Sequence, residues 1–161
     1  MNLTIRSMSN EDIQSVQHVA KTSWNTTYEG IIPIEIQENF INTAYSNAML
    51  EKRLTNTVFL VAEIDGEIIG FINFTPLKSD TKVELGAIYI YKDYQGKGIG
   101  TSLLNEGIKF FPSVKKVYVN VEKDNEVALS FYKARGFIIE TEYDDLFDGH
   151  VLKTVRLVLN L

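Results

Sequence analysis

The chain has 161 residues, 45% hydrophobic and 23% charged, the size and balance of a single domain, 1–161, with a substantial core. It has no cysteine, which excludes disulfides, thiolate metal sites and a cysteine nucleophile; its two histidines, His18 and His150, lie far apart and give a metal site no support. The formal net charge of −5 suits solubility and a cationic ligand and disfavours nucleic acid, because Lys115-Lys116 is the only lysine cluster.

No apolar run reaches the roughly 18 residues of a membrane helix. Met1 to Ser7 shows no basic region followed by an apolar stretch, so no secretory leader is expected and the protein is expected in the cytoplasm.

Leu3 to Arg6 alternates like a short strand. Ser9-Asn10-Glu11-Asp12 resembles a capping box and opens a helix whose apolar face carries Ile13, Val16, Ala20 and Trp24. Pro33 to about Tyr45 reads as a second helix, and Ser46 as the cap of a shorter one through Leu54. The period then changes. Val58 to Ile64 and Ile68 to Leu77 form a hairpin across Asp65-Gly66. Val83 to Tyr91 alternates Val83, Leu85, Ala87 and Tyr89 against Glu84, Gly86, Ile88 and Ile90, as in a central strand covered on both faces.

A helix from Ile99 to Phe111, stopped by Pro112, precedes a strand from Val117 to Val121. A further helix runs from Asn125 to Arg135 and ends at Gly136. Phe137 to Tyr143 and Val151 to Leu159 are final strands around Asp148-Gly149. The predicted order, β-α-α-β-β-β-α-β-α-β-β, is an α/β chain with a mixed sheet and helices on its faces, not a doubly wound series.

The stretch Gln95-Gly96-Lys97-Gly98-Ile99-Gly100 joins the Val83–Tyr91 strand to the next helix. A glycine-rich turn at a helix N-terminus leaves backbone N–H groups unpaired and aligned with the helix dipole, which suits phosphate. It is not a Walker loop, which needs Gly-Lys-Ser/Thr after four intervening residues. Nor is it G-x-G-x-x-G, since Thr101 or Leu103 falls where the last glycine is needed. The remaining pattern is Q-x-x-G-x-G, on Gln95, Gly98 and Gly100. Taken alone it serves equally as a phosphate cradle or as a tight turn.

Downstream, Asn125 to Phe137 reads N-x-x-A-x-x-F-Y-x-x-x-G-F. The two motifs, in this order and at this separation, resemble the GNAT N-acetyltransferase superfamily. The resemblance covers residues 58 to 143 well. It implies the GNAT acyl-CoA N-acyltransferase fold and direct acetyl transfer from acetyl-CoA to a primary amine, with no metal. Lys92 stands where the family often has proline.

Residue roles follow from the same resemblance. Backbone groups of Ile88, Tyr89 and Ile90 hold the pantetheine as a pseudo-strand, and main-chain groups of Gln95, Gly96, Lys97, Gly98, Ile99, Gly100 and Thr101 hold the pyrophosphate. Asn125 is a helix cap, a pantetheine ligand, or both. Tyr132 is core by spacing. In the family it is the general acid for the departing thiolate, a thiol of pKa near roughly 8.5 against about 10 for the phenol. An alkylammonium of pKa about 10.4 must lose a proton before it attacks; Glu84 is the first candidate base, read otherwise as a solvated strand residue.

The segment Trp24-Asn25-Thr26-Thr27-Tyr28-Glu29-Gly30 falls where the family builds its acceptor pocket. Trp24, Tyr28 and Glu29 suit an ammonium by cation–π contact and charge pairing, or else pack and face solvent. With Glu35 and Glu38 nearby, the segment resembles the polyamine (PaiA-type) branch. The partners implied are a small amine acceptor, neither nucleic acid nor membrane, with a homodimer left open. A protein N-terminal or lysine acetyltransferase would need an open groove in place of a closed pocket, and an acyl-CoA sensor would need no working Tyr132. His150, next to a turn, either approaches the acceptor or lies on the surface.

Overall fold

The computed structural model describes residues 2–161. Its strands are β1 (Leu3–Ser7), β2 (Val58–Ile64), β3 (Glu67–Pro76), β4 (Lys82–Ile90), β5 (Lys116–Glu122), β6 (Ile138–Phe147) and β7 (His150–Asn160). Its helices are α1 (Ile13–Thr27), α2 (Ile34–Ala44), α3 (Asn47–Asn56), α4 (Ile99–Ile108) and α5 (Glu126–Ala134). One sheet holds every strand in the order β1-β2-β3-β4-β5-β7-β6. Each neighbouring pair is antiparallel except β4 and β5, which are parallel. A parallel pair needs a crossover, and α4 with the glycine loop supplies it.

Alternation sorts the strands into two cores. Leu60, Ala62, Val83, Leu85, Val117, Val119, Val121, Val155 and Leu157 pack with Ile99, Leu103 and Leu104 of α4 and Tyr132 of α5. On the other face Phe59, Val61 and Phe71 pack with Val16, Val19, Ala20 and Trp24 of α1 and with Ile41 and Leu50 of α2 and α3. Both β2–β3 and β6–β7 turn through Asp-Gly with φ positive at each residue: 51° and 82° at Asp65-Gly66, 48° and 79° at Asp148-Gly149. Such a turn twists with the strands it joins.

The structure departs from the sequence expectation in four places. The predicted order counts two helices between β1 and β2, but all three segments read there as helical are helices. The third is the segment Ser46 caps by accepting Met49 N–H at 3.2 Å, short but complete as a helix. Helix α4 ends at Ile108, before Phe111, because Phe110 and Phe111 bond to carbonyls three residues back and tighten the chain into a turn. Strand β6 continues past Tyr143 to Phe147, carried by pairing with β7 rather than by burial.

The fourth departure matters for the site. Alternation in β4 breaks at Gly86, where Asn73 pairs with Ala87 while Phe74 pairs with Leu85. The extra residue is a bulge, and it moves Ala87 and Tyr89 to the α1 face and Ile88 and Ile90 to the α4 face.

Candidate active site

Strands β4 and β5 pair only from Lys82 opposite Lys116 to Leu85 opposite Val119. Beyond that, β4 runs on to Ile90 along β3, and β5 runs on to Glu122 along β7. The sheet is therefore split at its C-terminal end, with a wedge between Gly86–Ile90 and 120–122. Ile88, Tyr89 and Ile90 stand on one lip of this split with no β5 partner among the described residues.

The glycine loop lies at the mouth of the wedge. After a single 3-10 turn at Lys92–Tyr94, Gly96 and Gly98 take φ of 76° and 80°, a region that favours glycine, and Gly98 is the N-cap of α4. A Cβ built at either glycine meets nothing within 4 Å, so these residues serve the backbone path and the open space above it, not packing. The first α4 amide to reach a carbonyl is Ser102, on Gly98 O at 3.1 Å. Among the described residues the amides of 96–101 have no acceptor.

A row of free N–H groups at the positive end of a helix fits a diphosphate. Unlike the amides of 96–101, the Gln95 N–H is already taken, by Lys92 O at 3.2 Å. The Gln95 side-chain amide donates to Ile90 O at 3.1 Å and ties the loop to the end of β4. Gly100 is a close approach: its Cβ would lie 2.8 Å from Phe131 of α5, so glycine lets the two helices meet. Arg135 reinforces that seam, donating from Nε to Thr101 Oγ1 at 2.8 Å while lying over the Phe131 ring.

Asn125 caps α5 by accepting Ala128 N–H at 3.2 Å. Seven residues on, Tyr132 is 4% exposed, wedged edge-on between Phe131 and Phe137. Burial pushes its phenol well above the ordinary tyrosine range, so it keeps its proton at neutral pH.

The predicted acceptor segment closes over the same region. Tyr28 follows the last turn of α1, and its carbonyl accepts from Ile31 N, from Ile32 N and from the side-chain amide of Gln37. Gln37 is 2% exposed and also donates to Ile32 O at 2.8 Å, so it pins the turn from beneath. The Tyr28 phenol is pushed up to about 12 by burial, opposed by the Asn125 amide beside it and assisted by the charge of Glu122. Tyr28, Glu122, Asn125 and Tyr132 thus gather from three separate elements.

Trp24 lies behind them, 6% exposed, tilted against Tyr28 and stacked on Phe40, with its indole N–H donated to the Tyr89 hydroxyl at 2.7 Å. Glu29 is exposed on the rim of an open hollow of about 850 Å³ that it shares with Gln37 and His150. Glu84 sits in the paired part of β4, where Arg156 Nη1 holds its carboxylate at 2.8 Å and also donates to Asn120.

Two residues escaped the sequence reading. Glu122 lies in no motif, and Gln37 is a polar residue in an otherwise ordinary helix pattern. A buried glutamine three residues into a helix becomes legible only when the preceding loop is seen to need its donors.

A split β4–β5 pair, an amide-lined turn into α4 and a buried tyrosine on α5 define a nucleotide-thioester acyltransferase. The acetyltransferase (GNAT) family model matches residues 18–137, and the chain belongs to that family. It is 33% identical over 148 residues to a spermidine N(1)-acetyltransferase of Thermoplasma acidophilum, covering 87% of this chain and 91% of that protein. It is 32% identical over 162 residues to the N-acetyltransferase YuaI of Bacillus subtilis, covering 96% and 91%.

The structure superposes on the PaiA N-acetyltransferase of Thermoplasma acidophilum, solved with coenzyme A, with a TM-score of 0.87, 30% identity and full coverage of both chains. The protein is an acetyl-CoA-dependent N-acetyltransferase. No helix among the described residues is long and apolar enough to cross a membrane.

Proposed function

We propose that the protein transfers the acetyl group of acetyl-CoA to a primary amine of a small polyamine. The observation that carries this reading is the aromatic wall of Trp24 and Tyr28, with ring centroids 4.6 Å apart, whose Tyr28 phenol lies toward Asn125 at the N-cap of α5 and within the field of Glu122. An aromatic ring and a buried carboxylate beside an acyl-transfer site suit an alkylammonium and offer nothing to an anionic or apolar acceptor. The name of the Thermoplasma acidophilum relative, a spermidine acetyltransferase, supports the same class.

In this reading the amides of 96–101 bind the diphosphate, and backbone groups of Ile88–Ile90 align the pantetheine arm along the free lip of β4. Asn125 adds a side-chain amide to that arm. Tyr132 gives its phenolic proton to the sulfur as the C–S bond breaks. Burial raises both the phenol and the departing thiolate, so the proton transfer between them is not made harder by the dry surroundings. Tyr28 and Glu29 line the approach of the amine, and Trp24 holds Tyr28 in place.

The test is release of CoA thiol from acetyl-CoA with a panel of spermidine, putrescine, amino acids, aminoglycosides and peptides. The proposal expects the polyamines to give the highest kcat/KM. A peptide or aminoglycoside exceeding them would overturn it.

A further inference from the structure

We infer that Glu122 is the carboxylate that receives the acceptor's ammonium and takes its proton, a catalytic role resting on the amine-acetyltransferase reading above. Glu122 ends β5 beyond the last β4–β5 pair, Leu85 with Val119, and so borders the split. Along β5 it alternates with Val117, Val119 and Val121, which enter the α4–α5 core, and shares the opposite face with Tyr118 and Asn120. That is the face on which α1 brings Tyr28.

The charge balance is the second observation. Two carboxylates are buried among the described residues, Asp12 and Glu122. Asp12 is paired with Arg6 at 2.7 Å. Glu122 is 9% exposed and has no lysine or arginine within ion-pair distance among the described residues. A buried carboxylate without a cation is costly, and a cationic ligand would supply the missing partner.

Oε2 accepts Asp124 N–H at 2.6 Å, which fixes the side chain, and the backbone N–H groups of Lys123 and Asn125 also lie toward the carboxylate; no side-chain donor among the described residues reaches Oε1. Glu84, in contrast, is already answered by Arg156.

The groups around Glu122 are Asp124 in the same turn, Tyr28 from the end of α1, Tyr132 next to Tyr28, and Thr154 opposite on β7. Lys123 points away to Glu142 at 3.2 Å. Burial and the neighbouring Asp124 charge hold the Glu122 carboxyl above the ordinary glutamate range, which makes it a better base.

The step balances. An ammonium N–H proton passes to Oε1, and the freed lone pair forms the bond to the thioester carbon. The C–S bond breaks, and the thiolate takes the Tyr132 proton. The nitrogen of the adduct loses its second surplus proton to the Tyr132 phenolate, and Glu122 passes its proton to solvent, so one proton is released per acetyl group transferred.

Glu122→Gln tests this, because its amide oxygen still accepts from Asp124 N–H and preserves the turn. Turnover is compared between a diamine, protonated at the assay pH, and trifluoroethylamine, neutral at that pH. The variant is expected to lose about 100-fold in kcat/KM with the diamine and less than about fivefold with the neutral amine. The acid limb of the diamine pH profile disappears with it.

By calorimetry, diamine binding to the CoA complex weakens about tenfold or more while acetyl-CoA affinity holds, the signature of a lost charge-assisted contact and not of misfolding. Equal losses for both amines, or unchanged turnover with the diamine, overturn the assignment. A Glu84→Gln variant that alone shows dependence on amine basicity also overturns it. A wild-type enzyme inert with every amine instead overturns the acceptor reading itself.

Discussion

Tyr132 is the general acid proposed from the sequence motif, and its surroundings suit that role. The phenol is enclosed by Phe131 and Phe137 on a helix capped by Asn125, so its position is fixed by packing as well as by covalent chain. Tyr132→Phe keeps the ring and removes only the proton donor. It is expected to lower kcat by about 100-fold while the acetyl-CoA dissociation constant changes less than about twofold. Rapid-quench kinetics beside calorimetry checks both; equal kcat would remove the general-acid role.

Gly98 is the complementary case, a residue that acts by lacking a side chain. At φ of 80°, Gly98→Val strains the backbone and puts a branched group over the free amides. Acetyl-CoA is expected to bind about tenfold or more weakly, read by calorimetry, with thermal stability monitored alongside. These residues were legible in the sequence because glycine spacing and the N-x-x-A-x-x-F-Y pattern are local. Glu122 and Gln37 were not, since each gains its meaning from elements distant in the chain: Tyr28 for the first, the Tyr28–Ile32 turn for the second.

Among the elements, α4 and the first turn of the chain show how tightly the site is supported. Gly107 on α4 faces Phe74 of β3; a Cβ there would lie 2.1 Å from the Phe74 ring, which is fully buried. Gly107→Ala should therefore destabilise the fold by about 1–3 kcal/mol through overpacking, despite alanine's better helix propensity. Urea unfolding measures it, and a stabilised variant would refute the packing argument.

Before α1, Asp12 accepts two hydrogen bonds from Arg6, at 2.7 and 2.9 Å, and one from Ser9 N–H at 2.8 Å. The Arg6 contact holds its carboxyl below the ordinary aspartate range, against the opposing effect of burial. A lowered folded value means the contribution is complete above the unfolded pKa of about 3.9 and is lost as pH falls through the folded value. Asp12→Asn should cost about 2 kcal/mol at neutral pH and progressively less below about pH 4. A loss that does not shrink in acid would show that the charge is not what matters.

Element boundaries were read well where hydrophobic period and turn chemistry agreed, as across Asp65-Gly66. The Gly86 bulge was hidden because both faces of β4 are apolar, so a one-residue change of register leaves the pattern looking continuous.

At the scale of the whole molecule, a net charge of −5 surrounds a site bordered by Glu122, which has no lysine or arginine partner among the described residues. Long-range attraction of a polycation is screened beyond roughly 8 Å at 0.15 M salt. Raising ionic strength should increase the KM for spermidine several-fold and leave that for a neutral amine unchanged. Steady-state kinetics across a salt series distinguishes the two, and parallel curves would assign the effect to protein stability.

The overall architecture ties these scales together: the bulge and the split place a free strand lip beside an amide-lined turn, and α5 closes the third side. The most direct measurement compares acetyl-CoA with acetyl-pantetheine, which has the thioester and arm but no diphosphate, in calorimetric titrations of the same protein. Binding of acetyl-CoA at one site per chain, with acetyl-pantetheine about 100-fold weaker or more, is the result expected if the amides of 96–101 grip the diphosphate. Equal affinities for the two would contradict it.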